Sequence, residues 1–183
     1  GCGAAGDVIR FVQLHDNLNF VDAMRVLAKR AGVELEAEDP REARVRSEKE
    51  AIYHANETAT RFFHRMLTSD PAGEPGRTYL ARRGITGETI TAFTLGYAPD
   101  RWDALTAELQ REGVDAEIAV KAGLLKPGQR GYYDFYRERV MIPTRSVTGE
   151  IIACGGRLTG DGEPKYLNTT TTPVYTNGRF LFA

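Results

Sequence analysis

The 183-residue sequence has little of what marks a secreted, disulfide-stapled or membrane-bound protein. It has only two cysteines, Cys2 and Cys154, which is too few for a disulfide framework and fits the reducing cytoplasm. No apolar run approaches the roughly 18–20 residues that span a bilayer, so we expect no membrane partner. The first residues lack the basic and apolar regions of a signal peptide. Because there is no initiator Met and residues 180–182 are apolar, we expect a piece of a longer protein.

Motifs of common catalytic chemistry are also absent. His15, His54 and His64 have no His or Cys partner at ligand spacing, so each is expected to be an ordinary helix residue. There is no Gly-x-Ser-x-Gly elbow and no Walker phosphate loop. The acidic residues after position 130 form no convincing pair for Mg²⁺, so the residues themselves place no catalytic metal in this chain.

What the sequence does have is the composition of a globular chain with an uneven charge. Hydrophobic residues make up 42% and charged residues 27%. The net charge of −1 combines −5 over residues 1–120 with +4 over residues 121–183. A basic last third indicates an anionic partner such as nucleic acid or nucleotide, although ordinary solvated charge explains it more simply.

Helical periodicity dominates the first two thirds. Residues 1–36 are predicted to form two short helices, the second capped by Asn19 and stopped at Gly32. A charged, Pro-containing segment at 37–47 is predicted to be a linker, followed by a helix to about Leu67. Shorter helices are predicted at 77–83, 87–93 and 101–112, and Asp115 is the expected N-cap of one more helix, which ends at Gly123. For the helix at 101–112, Asp100 is the expected N-cap and Trp102 the expected core anchor.

After Gly128 the pattern favours strands. Residues 139–144 and 150–154 are short β-rich runs separated by a hairpin loop at 146–149, and Pro143 favours an edge or the end of the first strand. Residues 166–168 and 180–182 are further candidates. We therefore predict an α+β fold, a helical N-terminal half followed by a small, mostly antiparallel β region.

Two short segments in the β region combine glycine, cations and polar groups. Gly155 and Gly156 permit close backbone approach by a ligand, and the guanidinium of Arg157 can bind phosphate with two hydrogen bonds; a β-bulge with a solvated arginine is the alternative. Lys165 lies eight residues after Arg157, and Asn168 follows three residues later. The two segments together suit a groove that follows a nucleic-acid strand, or an ordinary basic surface. Cys154 is expected to be a small buried residue in a strand.

Several strings in the sequence together resemble bacterial DnaG-type DNA primases over the whole length. They are GCGAAGDVIRF at 1–11, YLARRG at 79–84, LGYAPDRWDAL at 95–105, AGLL at 122–125, YDFYRERVMIP at 133–143, GGR at 155–157 and PKYLN at 164–168. The resemblance implies the end of a zinc-binding domain at 1–36, a linker at 37–47, and the N-terminal subdomain of a primase RNA polymerase core at 48–183. A Toprim subdomain carrying the catalytic carboxylates is expected after residue 183.

The same resemblance implies roles for individual residues. Cys2 would be the fourth zinc ligand; from the residues alone, an inert terminal cysteine is the simpler interpretation. The residues expected to line a crevice for template or nucleotide phosphates are Arg83, Arg137, Arg139, Arg157, Lys165 and Asn168. The sequence departs from the family pattern at Phe135 and Asn177, which stand where the family has basic residues, and at residues 169–172, which are all threonine.

The implied function is RNA primer synthesis on single-stranded DNA by the full-length parent, with this piece inactive alone. Its cofactors would be Zn²⁺ and, in the Toprim subdomain, Mg²⁺. Its partners would be the DNA template, ribonucleoside triphosphates, the primer–template hybrid and, through a C-terminal domain, the replicative helicase at the cytoplasmic replication fork. The alternatives are the front end of a phage or plasmid primase–helicase, and a non-catalytic nucleic-acid-binding module.

Overall fold

The computed structural model describes residues 6–16, 18–33 and 39–176. The chain divides into two compact units after Ala43. The first unit contains helix α1 (Val8–Asp16) and helix α2 (Phe20–Ala31). The Asn19 side chain accepts a hydrogen bond from the Asp22 backbone N–H at 2.9 Å and so caps α2, and Gly32 ends it in the left-handed conformation. Both ends of this helix are therefore confirmed.

The second unit is mostly helical first and mostly β afterwards. Its elements in chain order are α3 (Pro40–Ser69, whose start belongs to the first unit), a short 3₁₀ turn (Pro71–Gly73), α4 (Glu74–Arg82), α5 (Gly87–Ala92), β1 (Gly96–Ala98), α6 (Ala104–Arg111), α7 (Ala116–Lys121), β2 (Leu125–Gly128), β3 (Gly131–Asp134), β4 (Arg139–Arg145), β5 (Ile151–Leu158) and β6 (Tyr166–Asn168). The α+β prediction is confirmed.

Two antiparallel sheets carry the candidate site. One has four strands in the order β1-β4-β5-β6, and the other is the β2–β3 hairpin. In the larger sheet Val140 lies opposite Arg157, and Arg157 lies opposite Tyr166. The antiparallel pairing of β5 with β6 places the two predicted segments, 155–157 and 164–168, side by side.

Helix α3 supplies much of the core beneath the sheet. Its apolar stripe, which includes Ile52, Ala59 and Phe63, is buried in one cluster with Met141 and Cys154 of the sheet. A Cβ at Gly96 would lie 2.5 Å from Phe63 Cβ, so only glycine lets β1 approach the helix this closely. Cys154 is 3% exposed, which confirms its expected buried position.

The structure corrects the predicted start of α6. The helix begins at Ala104, Asp100 does not cap it, and Asp103 at the cap position makes no side-chain hydrogen bond to it. Trp102 therefore precedes the helix and is 62% exposed, so its prediction as a core anchor is wrong. Helical periodicity does not apply to Trp102, because the residue lies outside the helix.

Other boundaries also differ from expectation. Helix α3 begins at Pro40, inside the segment 37–47 predicted as a linker. Strand β4 continues through Pro143, which lies opposite Cys154 of β5. Strand β1 pairs with β4 only as far as Met141, so Pro143 has no partner in β1. The sequence patterns missed β1 and the β2–β3 hairpin, and the strand predicted at 180–182 lies outside the described residues.

Candidate nucleic-acid interface

Tyr79 on α4 brings two of the predicted arginines together. Arg83, four residues later, has its Cζ 5.2 Å from the centroid of the Tyr79 ring. Arg157 of β5 has its Cζ 5.7 Å from the same centroid. Residues four apart share a helix face, so the i,i+4 spacing was a signal for the Tyr79–Arg83 pair. A helix end and a strand far apart in sequence thus present two cations at one aromatic ring.

Arg157 is held in place by its strand neighbours. Its Cζ lies 5.0 Å from the centroid of Tyr166 on the adjacent strand β6. Its Nη1 donates to the carbonyls of Leu158 at 3.0 Å and Lys165 at 3.3 Å. The Nε atom is buried and has no hydrogen-bond partner within the described part of the chain. Tyr166 itself is 68% exposed, so an aromatic surface lies open beside a fixed guanidinium.

We call Arg83, Arg157, Lys165 and the rings of Tyr79 and Tyr166 the template cluster. Its cations are not neutralised within the described part of the chain. No carboxylate of residues 39–176 forms an ion pair with Arg83, Arg157 or Lys165. The Lys165 backbone N–H donates to Glu163 Oε2 at 3.2 Å, while the residue as a whole is exposed. These positive charges are therefore available to an anion.

Arg139, in contrast, lies beneath the surface. It is 6% exposed, and its guanidinium donates to the carbonyls of Pro164 at 2.9 Å, Lys165 at 3.4 Å and Gly156 at 3.5 Å. Burial lowers its pKa, and the nearby charges of Arg137 and Arg157 lower it further. The structure thus gives Arg139 a supporting position, in which it fixes the backbone that carries Lys165.

The two glycines before Arg157 serve the protein's own packing. A Cβ at Gly156 would lie 2.9 Å from Arg139 Cδ and 3.0 Å from Tyr136 Cδ1. A Cβ at Gly155 would lie 3.1 Å from Asn168 Oδ1. Strand β5 pairs regularly through both positions, and its one register shift against β4 lies at Thr144/Arg145. The glycines therefore make room for neighbouring side chains, and the β-bulge considered from the sequence is not found at these positions.

Asn168 and Arg137 belong to different surroundings. Asn168 is exposed and lines a cavity of about 250 Å³ together with Ile142, Ala153 and Tyr175. Arg137 packs over the exposed Trp102, with 3.8 Å between its Cζ and the ring centroid, and donates a hydrogen bond to the Asp134 carbonyl. The six predicted residues are therefore not one cluster: Arg83 and Arg157 share Tyr79, the Lys165 backbone adjoins them, and Arg139 supports that backbone.

Metal-ligating side chains do not gather in the described part of the chain. No group of three or more His, Cys, Asp or Glu residues there could hold a metal ion. Cys2, the expected zinc ligand, lies outside the described residues. The described residues therefore offer no fit for Zn²⁺ or Mg²⁺. Among the same residues, no helix combines the length and apolar character needed to cross a membrane.

Comparison with known proteins identifies the family. Residues 62–183 match the model of the DNA primase catalytic core, N-terminal domain. The chain belongs to the DnaG DNA primase family. Residues 1–43 of this DnaG chain match the CHC2 zinc finger model, which is a zinc-binding family.

Individual DnaG primases are similar to this chain over most or all of its length. It is 41% identical to the DNA primase of Halalkalibacterium halodurans over 186 aligned positions, covering 100% of this chain but 31% of that protein. A structure of the DnaG primase catalytic domain bound to single-stranded DNA is similar with a TM-score of 0.65 and 35% identity, over 73% of this chain and 43% of that one. The zinc-binding and RNA polymerase domains of the Aquifex aeolicus primase align with a TM-score of 0.64 and 31% identity, over 97% and 42%. The chain thus spans about a third of the length of its DnaG relative.

Proposed function

We propose that this chain is the front part of a DNA primase that synthesises short RNA primers on single-stranded DNA, and that it supplies the basic surface for the template strand. The observation that carries the proposal is the pair Arg83 and Arg157 at the single ring of Tyr79, neither with an ion-pair partner in the described part of the chain. The DnaG catalytic domain bound to single-stranded DNA supports it, because that domain is similar in fold and sequence.

Each residue of the cluster has a chemical role in binding. The guanidinium groups of Arg83 and Arg157 can each donate two hydrogen bonds to a phosphate, and the Lys165 ammonium adds a mobile point charge. The exposed ring of Tyr166 can stack on a base. Contacts of this kind position a strand and carry little sequence information. This matches the task of holding a template whose bases are read by pairing.

The chemical step needs groups that the described residues do not offer. Primer extension joins the α-phosphorus of a ribonucleoside triphosphate to a 3′ hydroxyl and releases pyrophosphate. The Mg²⁺ carboxylates would come from the part of the primase outside this chain, so we expect the chain alone to be inactive. Residues 1–36 would be the end of the zinc domain, with Cys2 as a ligand, and residues 48–183 would be the N-terminal subdomain of the polymerase core. The ribonucleotides, the primer–template hybrid and the cytoplasmic helicase would be partners of the whole enzyme.

Binding of single-stranded DNA against salt tests the proposal. Fluorescence anisotropy with a labelled oligo-dT should show an affinity that falls steeply as salt rises. Arg83→Ala and Arg157→Ala should each weaken binding and reduce the slope of log K against log salt by about one. The control is Arg44→Ala, which removes an exposed cation near the start of α3. A salt-independent affinity, or equal slopes in all variants, would contradict the proposal.

A further inference from the structure

A second aromatic and cationic cluster lies beside the β2–β3 hairpin and includes Tyr133 of β3. Trp102 and Tyr133 have ring centroids 5.5 Å apart, and Arg137 Cζ lies 3.8 Å from the first centroid and 5.7 Å from the second. We call Trp102, Tyr133 and Arg137 the hairpin platform. Trp102 is 62% exposed, an unusual position for the largest apolar side chain in the sequence. The folding core therefore does not explain this tryptophan.

Two hydrogen bonds tie the hairpin platform to the end of β3. The Trp102 carbonyl accepts a hydrogen bond from the Asp134 backbone N–H at 2.8 Å. The Arg137 guanidinium is fixed in turn by its hydrogen bond to the Asp134 carbonyl. One residue of the hairpin thus anchors both the backbone of Trp102 and the cation that packs on its ring. A preordered aromatic surface loses little conformational entropy when a ligand binds.

Charge around the platform favours an anionic ligand. Lys126 lies opposite Tyr133 in the hairpin, on the same face, and Arg130 lies in its turn. The acidic neighbours are Asp100 and Asp103, and Asp103 is paired with Arg101 at 3.1 Å. The Asp134 carboxylate is turned inward and accepts three hydrogen bonds from α6. Lys126 Nζ lies 4.5 Å from the ring centroid of Phe135, two residues after Tyr133. Three cations, Lys126, Arg130 and Arg137, thus lie in or next to the hairpin, and among the described residues no ion pair involves them.

One buried residue links the hairpin platform to the proposed template surface. Arg139 and Arg157 both donate to the Lys165 carbonyl, at 3.4 and 3.3 Å. Arg139 also follows the platform residue Arg137 by two positions in the chain. Both clusters therefore include a residue next to the same buried guanidinium.

We propose that Trp102 is a base-stacking residue, and that the hairpin platform binds one base and the adjoining phosphate of a single-stranded nucleic acid. The inference rests on the proposed function and adds a second contact to the same strand. A nucleobase fits better than an apolar protein segment, because a segment of that kind would strip water from Lys126 and Arg137 without pairing their charges.

Trp102 is the single tryptophan of the sequence, so its own fluorescence reports on the site. Titration of the 183-residue chain with oligo-dT of about 16 nucleotides, the upper site size of small single-strand-binding folds, should quench this emission. The midpoint should agree with that from the anisotropy of the labelled strand. Trp102→Ala should weaken the affinity about 5- to 100-fold, the range for one lost stacked base. Trp102→Phe should retain most of the affinity, because it keeps a stacking face.

The salt dependence separates stacking from charge. Trp102→Ala should leave the slope of log K against log salt unchanged, because a stacked ring releases no counterion, whereas Arg83→Ala should reduce it. Thermal unfolding of Trp102→Ala checks that the fold is intact. If the strand binds with a steep salt dependence but the emission does not change and Trp102→Ala binds normally, the stacking inference fails while the proposed function stands. If the strand does not bind at all, both fail.

Discussion

Asp134 at the end of β3 caps helix α6 through Thr106, 28 residues earlier in the chain. Its Oδ1 accepts hydrogen bonds from the Thr106 backbone N–H at 2.8 Å and from the Thr106 hydroxyl at 2.7 Å. Its Oδ2 accepts from the Leu105 backbone N–H at 2.7 Å. These are amides that a helix start leaves without partners. The hairpin is thereby fixed to α6, and Trp102 and Arg137 are fixed with it.

Removing this cap should destabilise the protein more than removing a local one. Asp134→Ala leaves two helix amides and a hydroxyl without their buried acceptor, so we expect a loss of about 3 kcal/mol in the free energy of unfolding. Asp115→Ala, which removes the exposed side-chain cap of α7, should cost about 1 kcal/mol. Urea denaturation measures both. The loss in the free energy of unfolding for Asp134→Asn, which keeps one acceptor oxygen, should lie between the losses for the two alanine variants. Equal losses for the two alanine variants would contradict the assigned role.

The contrast between these caps shows what the sequence could predict. Asn19 and Asp115 cap helices that start immediately after them, and both were predicted from local pattern. The start of α6 was misplaced because its cap comes from a distant strand, which no local window contains. The same error put Trp102 in the core. Once the helix is known to begin at Ala104, Trp102 no longer shares a face with Leu105.

In the candidate site, too, the sequence predicted individual residues but not their tertiary arrangement. Arg83 and Arg157 were named from the sequence, but the ring of Tyr79 that joins them depends on tertiary packing. Arg137 and Arg139 looked equivalent, two residues apart in one motif. Between them Glu138 has a φ of 53°, and its carbonyl accepts from the Thr159 backbone N–H at 3.0 Å. This turn directs Arg139 into the sheet and leaves Arg137 at the surface, a distinction that spacing alone does not carry.

The buried position of Arg139 predicts a structural phenotype. Arg139→Ala should lower the free energy of unfolding by about 2–3 kcal/mol, because the carbonyls of Pro164 and Lys165 lose their charged donor. Amide hydrogen exchange should accelerate in residues 164–168. Arg145→Ala is the control, because that residue lies exposed on the same strand. If Arg139→Ala unfolds like wild type and changes only DNA affinity, Arg139 contacts the ligand directly instead.

Buried acids near β5 predict loss of stability at high pH. Burial raises the pKa of the Cys154 thiol from 9.0 to about 12 and also raises the pKa of the Tyr136 hydroxyl. Because the folded-state pKa values are raised, their contribution to stability is complete below pH 9 and is lost as the pH rises, when the unfolded chain ionises first. Urea midpoints should therefore fall as the pH rises from about 9 to about 12. Cys154→Ala should flatten that fall.

Thiol labelling provides an independent check on the same residue. With iodoacetamide at pH 8, peptide mapping by mass spectrometry should find Cys154 unmodified in the folded chain and modified in urea, since the thiolate is the reactive form. Rapid labelling of Cys154 in the folded chain, or an unchanged pH profile in Cys154→Ala, would contradict this account of the burial.

In a full-length primase that carries this chain, Arg157 and Lys165 should both matter for primer synthesis, but in different ways. Arg157→Ala should reduce synthesis about 10- to 100-fold, the loss of a charge-assisted phosphate contact. Arg157→Lys should restore little of it, because an ammonium lacks the planar fork that fits the space between Tyr79 and Tyr166. Lys165→Ala should also impair synthesis, and Lys165→Arg should recover much of it, because an exposed point charge needs no fixed geometry.

A control and a kinetic readout keep these effects separate from unfolding. Lys49→Ala is the control, because it removes an exposed cation far from α4. Arg77 of α4 donates to the Leu67 carbonyl near the end of α3. Lys49 lies 18 residues before Leu67, or about 27 Å along the helix axis. Lys49→Ala should leave synthesis unchanged. For Arg157→Ala and Lys165→Ala, a raised KM for template DNA with preserved thermal stability would place the loss in strand binding. Normal primer yield from both alanine variants would remove these two residues from the template surface.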